Sequence, residues 1–325
     1  MRYAKFCKIS TILALLAGSA VPSACADDND TGRVTVSGIS AGGYAAVQAH
    51  VALSGTISGA AVVAGGPYHC AEGNIVHALG RCISGSALDA APLVEATRAA
   101  ASAGTIDPVE SLSNDRVWLF HGKADPIVNV AVTKALRDFY ASFLPEQAIA
   151  FVDNIPVTHG WPTQDQGTAC LEMGGDYINA CDYDAAGELL QQLYGPLSQP
   201  TTVREDGLQV LDQAAVVPEG GDFADSGFAY VPQDCVENAN ECRLHLAFHG
   251  CRQGNEFIED RFARMSGLNE WAESNRIVVL YPQVSKSLMN PQGCWDWWGY
   301  TGADYDQRGG KQIAGIAAMI EAWSE

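Results

Sequence analysis

The sequence predicts an α/β fold, one domain built on a mostly parallel sheet with helices on both faces. Three observations carry that expectation. β-rich apolar runs alternate with helical segments, the first run leads into a Gly-x-Ser-x-Gly turn, and an aspartate and then a histidine stand in loops after later runs.

Taken in order, residues 33–36 read as a short strand running into Gly38, 43–53 as a helix and 57–64 as a buried strand. The Ala and Leu content of 88–103 predicts a helix. Residues 116–120 are a β-rich apolar run, followed by a loop over 122–126, a helix from about 130 to 143 and a strand over 148–152. Residues 161–183 are polar, Gly-rich and hold two cysteines, so they read as a surface excursion. Residues 196–200 resemble a linker, although composition hardly changes across them. Strands return at 209–217, 228–231, 243–248 and 277–281, with helices at 262–274 and 311–323. There is no internal repeat.

The first residues predict export. Arg2, Lys5 and Lys8 precede an apolar run over 9–21, and Ala24-Cys25-Ala26 has the small-x-small form that signal peptidase reads. The run is too short to span a bilayer. Residues 1–26 are expected to be a cleaved leader and 27–325 a secreted product, extracellular or periplasmic. Losing three cations makes the net charge of −19 more negative still. Such a chain is not expected to bind nucleic-acid phosphates or an anionic membrane surface; a neutral or small partner and a monomeric state are expected.

Apart from Cys7 and Cys25, eight cysteines remain, an even number in an oxidising context. None are spaced as Cys-x-x-Cys, which disfavours zinc and thioredoxin-like chemistry. Spacing suggests Cys70–Cys82, Cys170–Cys181 and Cys235–Cys242, leaving Cys251–Cys294.

Gly38-Ile39-Ser40-Ala41-Gly42 is the Gly-x-Ser-x-Gly pattern, set between a predicted strand and a predicted helix. That context is what a nucleophile elbow requires, because a turn so tight needs glycines around an exposed serine. A serine nucleophile needs a base and an orienting carboxylate. Asp125 stands in the loop after 116–120 and His159 in the loop after 148–152, giving the Ser, Asp, His order of α/β-hydrolases. His121 is the main rival base and reads as structural support for the aspartate loop; Asp153 and Asp165 read as solvated loop residues. The remaining histidines, His50, His69, His77 and His245, follow no strand-end pattern and read as structural.

Two N–H groups should receive the oxyanion. Ala41, after the nucleophile, supplies one. The other usually comes from a His-Gly loop that precedes the nucleophile, but here His249-Gly250-Cys251 follows a strand near the C-terminus, so Cys251 is the second candidate. The order makes sense as a circular permutation: joining residue 323 to residue 30 restores the ordinary α/β-hydrolase succession, cut just before the elbow strand.

On these motifs the chain resembles the circularly permuted, single-domain fungal-type poly(3-hydroxybutyrate) depolymerases over essentially its whole mature length. The most specific matches are His249-Gly250-Cys251-Arg252-Gln253 and Asn290-Pro291-Gln292-Gly293-Cys294-Trp295. The resemblance implies Ser40, Asp125 and His159 as the triad, Ala41 and Cys251 as oxyanion donors, and Asn290 and Trp295 as substrate contacts. Trp161, directly after His159-Gly160, is a further substrate-binding candidate, whereas Trp297 and Trp298 are expected to be packing residues. Ester hydrolysis through an acyl-enzyme is expected, on a polyester or oligoester, with no metal or organic cofactor. A feruloyl or acetylxylan esterase, or a general short-chain carboxylesterase, is the alternative with the same chemistry.

Overall fold

The computed structural model describes residues 33–237 and 241–324; the expected leader at 1–26 lies outside them. In chain order the first strands are β1 (Val34–Ile39), β2 (Ile57–Val63), β3 (Arg116–Phe120) and β4 (Ile149–Val152). A small sheet follows, β5 (Trp161–Thr163), β6 (Thr168–Ala169) and β7 (Ile178–Ala180), and then β8 (Leu208–Asp212), β9 (Ser226–Tyr230), β10 (Arg243–Phe248) and β11 (Ile277–Tyr281). The main sheet has the order β4-β3-β2-β1-β10-β11-β9-β8. It is parallel from β4 to β11, and β9 and β8 form an antiparallel edge. β1 and β11 are buried at every position, as strands covered on both faces must be.

The helices are α1 (Ala41–Ala52), α2 (Ile75–Leu79), α3 (Arg81–Ser84), α4 (Ala90–Ser102), α5 (Val130–Tyr140), α6 (Ala185–Tyr194), α7 (Asn255–Ile258), α8 (Arg261–Met265), α9 (Leu268–Asn275) and α10 (Lys311–Ser324). Asp89, Asn129 and Asp184 cap α4, α5 and α6 by accepting from backbone N–H groups two or three residues on. Two expectations are corrected here. The single helix expected over 262–274 breaks in two, because Gly267 takes a left-handed φ of 81° between α8 and α9. The excursion over 161–183 contains the small sheet, and α6 directly follows it, with Leu189, Leu190 and Leu193 buried.

The permuted order is resolved in the sheet. β10, the last but one strand of the chain, pairs directly with β1, with Gly38 opposite Phe248. The Ser40 turn and the His249-Gly250-Cys251 loop therefore leave neighbouring strands at the same carboxyl edge, where ligand sites of parallel α/β sheets form.

Below that edge, His245 on β10 lies between Thr35 and Ser37 of β1, with Nδ1 2.8 Å from Thr35 Oγ1 and Nε2 2.8 Å from Ser37 Oγ. Thr35 donates its hydroxyl to Tyr194, so it accepts from His245 Nδ1–H, and Nε2 is left to accept from Ser37. One neutral tautomer thus satisfies every group. Burial pushes the His245 pKa down to about 3, and that of the equally buried His249 to about 4.

Both histidines are neutral when folded but titrate near 6.5 when unfolded. The unfolded chain therefore binds more protons below pH 6.5, and stability falls as pH drops from there toward 4. The expected slope reaches ~1.4 kcal/mol per pH unit for each buried histidine. Urea midpoints at pH 7, 6 and 5 should decline steadily; a flat profile would show that these rings are not held neutral.

Candidate active site

Ser40 closes β1 with φ 56° and ψ −120°. A non-glycine residue there stores ~1–3 kcal/mol of strain, and it persists only because its surroundings fix it. Ser40 N–H donates to Val63 O of β2 at 2.9 Å, and Ser40 O accepts from Tyr44 N–H at 3.0 Å to start α1. The flanking glycines are imposed by packing. A Cβ at Gly38 would stand 2.1 Å from Gly42 O, and one at Gly42 would stand 2.2 Å from Phe248 O and 2.4 Å from His249 O.

Asp125 and His159 follow β3 and β4, neighbouring parallel strands. Their loops touch: Ala124 N–H donates to Val157 O at 3.0 Å, and a Cβ at Gly122 would lie 2.3 Å from the same oxygen. His159 Nδ1 is 2.8 Å from Asp125 Oδ2, whose carboxylate side chain is 1 % exposed. The other oxygen, Oδ1, accepts from the Ile127 and Val128 N–H groups at 2.8 and 3.0 Å. Burial raises the Asp125 pKa, but the His159 contact and these two N–H groups outweigh it and hold the carboxyl below its ordinary value. The small sheet braces the histidine loop, with Trp161 N–H donating to Tyr177 O at 2.8 Å and Cys170 bonded to Cys181. No hydrogen bond joins Ser40 Oγ to His159 among the described residues; in serine hydrolases that bond commonly tightens only with substrate.

His121 sits behind this pair. It is buried, its Nδ1 is 2.9 Å from Thr133 Oγ1, and burial lowers its pKa. Asp153 lies 3.7 Å from Lys134 and Asp165 is exposed. His50 and His69 each meet a buried carboxylate, His50 Nε2 3.1 Å from Asp115 Oδ2 and His69 Nδ1 2.7 Å from Asp306 Oδ2; the Asp306 contact raises the His69 pKa.

On the β10 side, Gly250 N–H donates to Gln253 Oε1 and Arg252 N–H to Gln292 O, both at 2.8 Å. The N–H groups of Ala41 and Cys251 find no protein acceptor among the described residues. A Cβ at Gly250 would lie 3.5 Å from Ser40 Cβ, so the two loops meet over the serine. Cys251 is bonded to Cys294, and the other three disulfides are Cys70–Cys82, Cys170–Cys181 and Cys235–Cys242.

Ser40, Ala41, His159 and Cys251 line one cavity of about 490 Å³. Its walls are apolar, and five of its residues, Ile75, Leu79, Ile127, Met173 and Met289, are large hydrophobic side chains left exposed at the surface. Asn290 lines it too, but its amide is consumed internally: Oδ1 accepts from Cys294 N–H at 2.9 Å and Nδ2 donates to Cys294 O at 2.8 Å.

Two expected substrate contacts are corrected. Trp295 is fully buried and lies outside the lining, packed edge-on against Phe248 at 4.8 Å and Phe223 at 5.8 Å. The disulfide draws Cys294 to the site, but the next side chain turns inward beneath β10. Trp161 is also fully buried, with Nε1 donating to Ser266 O at 2.9 Å and its ring against Phe262. Trp297 and Trp298 line the cavity instead. Trp297 stacks on Tyr44 at 4.6 Å, and Trp298 stands edge-on to it at 5.7 Å. Their turn is tied by buried Asp296, which accepts from the N–H groups of Trp298, Gly299, Tyr300 and Thr301 and from the Thr301 hydroxyl. Burial pushes that carboxyl up, against those five donors. An aspartate followed by Trp-Trp-Gly was the available signal for this Asx-type knot.

The chain is 43 % identical to a poly(3-hydroxybutyrate) depolymerase of Delftia acidovorans over 297 residues, 90 % of this chain and 60 % of that protein. It is 33 % identical to a polyhydroxybutyrate depolymerase of Talaromyces funiculosus, covering 97 % of this chain and 96 % of the relative. The chain belongs to the polyhydroxybutyrate depolymerase family. No family model matches it. Among solved structures, a PHB depolymerase complexed with an R3HB trimer matches with a TM-score of 0.83 and 31 % identity, over 90 % of this chain and 95 % of the other. The PHB depolymerase of Penicillium funiculosum matches at 0.82 with the same identity and coverage. This depolymerase-family chain has the α/β-hydrolase fold, and it spans about 60 % of the longer Delftia relative.

Removing Cys251–Cys294 opens a link across 43 residues and removing Cys70–Cys82 one across 12, costing ~4 and ~3 kcal/mol by loop-closure entropy. The two losses are thus similar for stability. Ester turnover at a temperature where both variants stay folded should fall much further for the Cys251→Ser/Cys294→Ser pair. Equal activities would mean that this bridge does not hold the loop over Ser40.

Proposed function

We propose that this family member is a secreted hydrolase of poly(3-hydroxybutyrate) or its oligomers, working through an acyl-enzyme on Ser40. The observation that carries the reading is the apolar crevice. It is rimmed by exposed aliphatic and methionine side chains and walled by Trp297 and Trp298, in a chain of net charge −19. Contiguous exposed apolar surface in an otherwise charged protein marks a place where apolar material is held, and a methyl-branched polyester is such material. The names of the relatives, and the R3HB trimer bound to the similar solved structure, point to the same substrate class.

In this mechanism His159 Nε2 takes the Ser40 proton as Oγ attacks the ester carbonyl. Asp125 holds the Nδ1–H and stabilises the imidazolium that forms. The Ala41 and Cys251 N–H groups receive the carbonyl oxygen as it becomes negative. The ester C–O bond then breaks, the imidazolium protonates the leaving alcohol, and water activated by His159 releases the acid. Four disulfides suit an oxidising compartment, and no helix among the described residues is long and apolar enough to cross a membrane.

Ser40→Ala should lower ester turnover by ~10⁴-fold or more while the thermal midpoint stays close to the parent's, since the half-exposed hydroxyl fills no core space. Retained activity would refute the nucleophile. Release of 3-hydroxybutyrate from polymer granules by purified protein tests the substrate; activity confined to feruloyl or acetyl sugars would refute it.

Trp298→Ala should slow cleavage of 3-hydroxybutyrate trimers roughly tenfold, as loss of a stacked aromatic contact does. A short nitrophenyl ester, which fills only the acyl pocket, should be much less affected. Trp295→Ala should instead lower stability by ~3–5 kcal/mol, the cost of emptying a core tryptophan site. Equal losses on both esters with Trp298→Ala would make that ring a packing residue.

A further inference from the structure

Arg252 has no role in the chemistry above, yet it follows the proposed oxyanion donor Cys251 directly. It is exposed, lines the cavity, and is the one lining residue with a permanent charge. No aspartate, glutamate or lysine lines the same walls. Its guanidinium makes no hydrogen bond or ion pair among the described residues. On adjoining segments, Asp176 is paired with Arg261 at 2.9 Å and Glu256 with Lys286 at 3.7 Å. The backbone that presents it is held in a left-handed conformation with φ 61°, by Arg252 N–H donating to Gln292 O and by the Cys251–Cys294 bond. A single unpaired cation at a fixed place in an apolar crevice, in a chain of net charge −19, is the pattern of a recognition element rather than of a solvated surface.

We propose that Arg252 binds the free carboxylate end of an oligoester, so that this site prefers carboxylate-terminated oligomers and chain ends over interior esters. The inference rests on the polyester reading. A 3-hydroxybutyrate chain is neutral along its length and carries one carboxylate at its end, and that end always belongs to the leaving side of the scissile bond. When Ser40 Oγ bonds to the carbonyl carbon and the ester C–O bond breaks, the released fragment gains a hydroxyl, protonated by His159, and keeps the carboxylate at its far end. With a single leaving unit, only one methylene separates the carboxylate from the carbon that bears the new hydroxyl. The anion then lies close to the oxyanion loop, and the planar guanidinium offers it two parallel N–H donors.

The sign of the effect is the test. Without a local cation, so acidic a protein would disfavour an anionic substrate. kcat/KM is measured by chromatographic release of monomer from a 3-hydroxybutyrate trimer, as the free acid and as its terminal methyl ester. The parent should favour the free acid roughly fivefold, the worth of a partly screened ion pair. R252Q should bring the ratio of the two substrates to about one or below, and R252K should recover part of it. A parent ratio at or below one, or an R252Q variant that loses both substrates in equal proportion, would overturn the proposal and leave Arg252 a backbone support for its loop. A parent that cleaves nitrophenyl butyrate but neither trimer would overturn the polyester reading itself.

Discussion

The site depends on a single close approach. The first turn of α1 lies so near the end of β10 that residue 42 has no room for one side-chain carbon before it meets two backbone carbonyls. That contact seats the Ser40 turn beside the His249-Gly250-Cys251 loop, and it needs β1 and β10 to be sheet neighbours. Their pairing, with Gly38 opposite Phe248, brings together segments from opposite ends of the chain. The strained Ser40 backbone and both elbow glycines follow from the same geometry, because any looser turn would separate the serine from the loop that closes over it.

Around that contact the molecule divides its polar groups sharply. Beneath the edge, His245 and His249 are buried, neutral and fully partnered, so they stiffen the sheet without competing for the serine. At the edge, Asp125 keeps its charge despite burial because one oxygen faces His159 and the other two backbone donors. Above it, the walls are apolar, and they are held in place by the Cys251–Cys294 bond, by the stacking of Trp297 on Tyr44 and, from behind, by the Asp296 knot. The crevice can therefore stay open and apolar without collapsing. Its one charged side chain stands at the loop that ends β10.

Much of this was legible in the residue order. Gly-x-Ser-x-Gly between a strand and a helix announces an elbow because a turn that tight needs small residues on both sides of the serine. Asp125 and His159 could be picked because they stand within loops after two successive strands in the Ser, Asp, His order of α/β-hydrolases, although His121 and Asp153 follow the same two strands directly. The tryptophans were not legible in that way. Trp295, Trp297 and Trp298 are chemically alike and nearly adjacent, and what separates them is the direction each side chain takes after Cys294. The same limit hid α6, whose Asp184 cap and leucine spacing sit between a disulfide-tied excursion and a stretch that reads as a linker.

The sequence alone therefore determined the sheet class, the candidate elbow serine with its candidate aspartate and histidine partners, and the spacing that suggests the disulfide pairs. Each of these is local, written in glycine, cysteine or strand patterns a few residues long. The tertiary structure decided which aromatic rings face the cavity, that Asn290 spends its amide on Cys294, and that Arg252 is left without an internal partner. Those outcomes depend on how distant segments share space around β10, and steric competition among side chains of similar chemistry leaves no mark in the order of the residues.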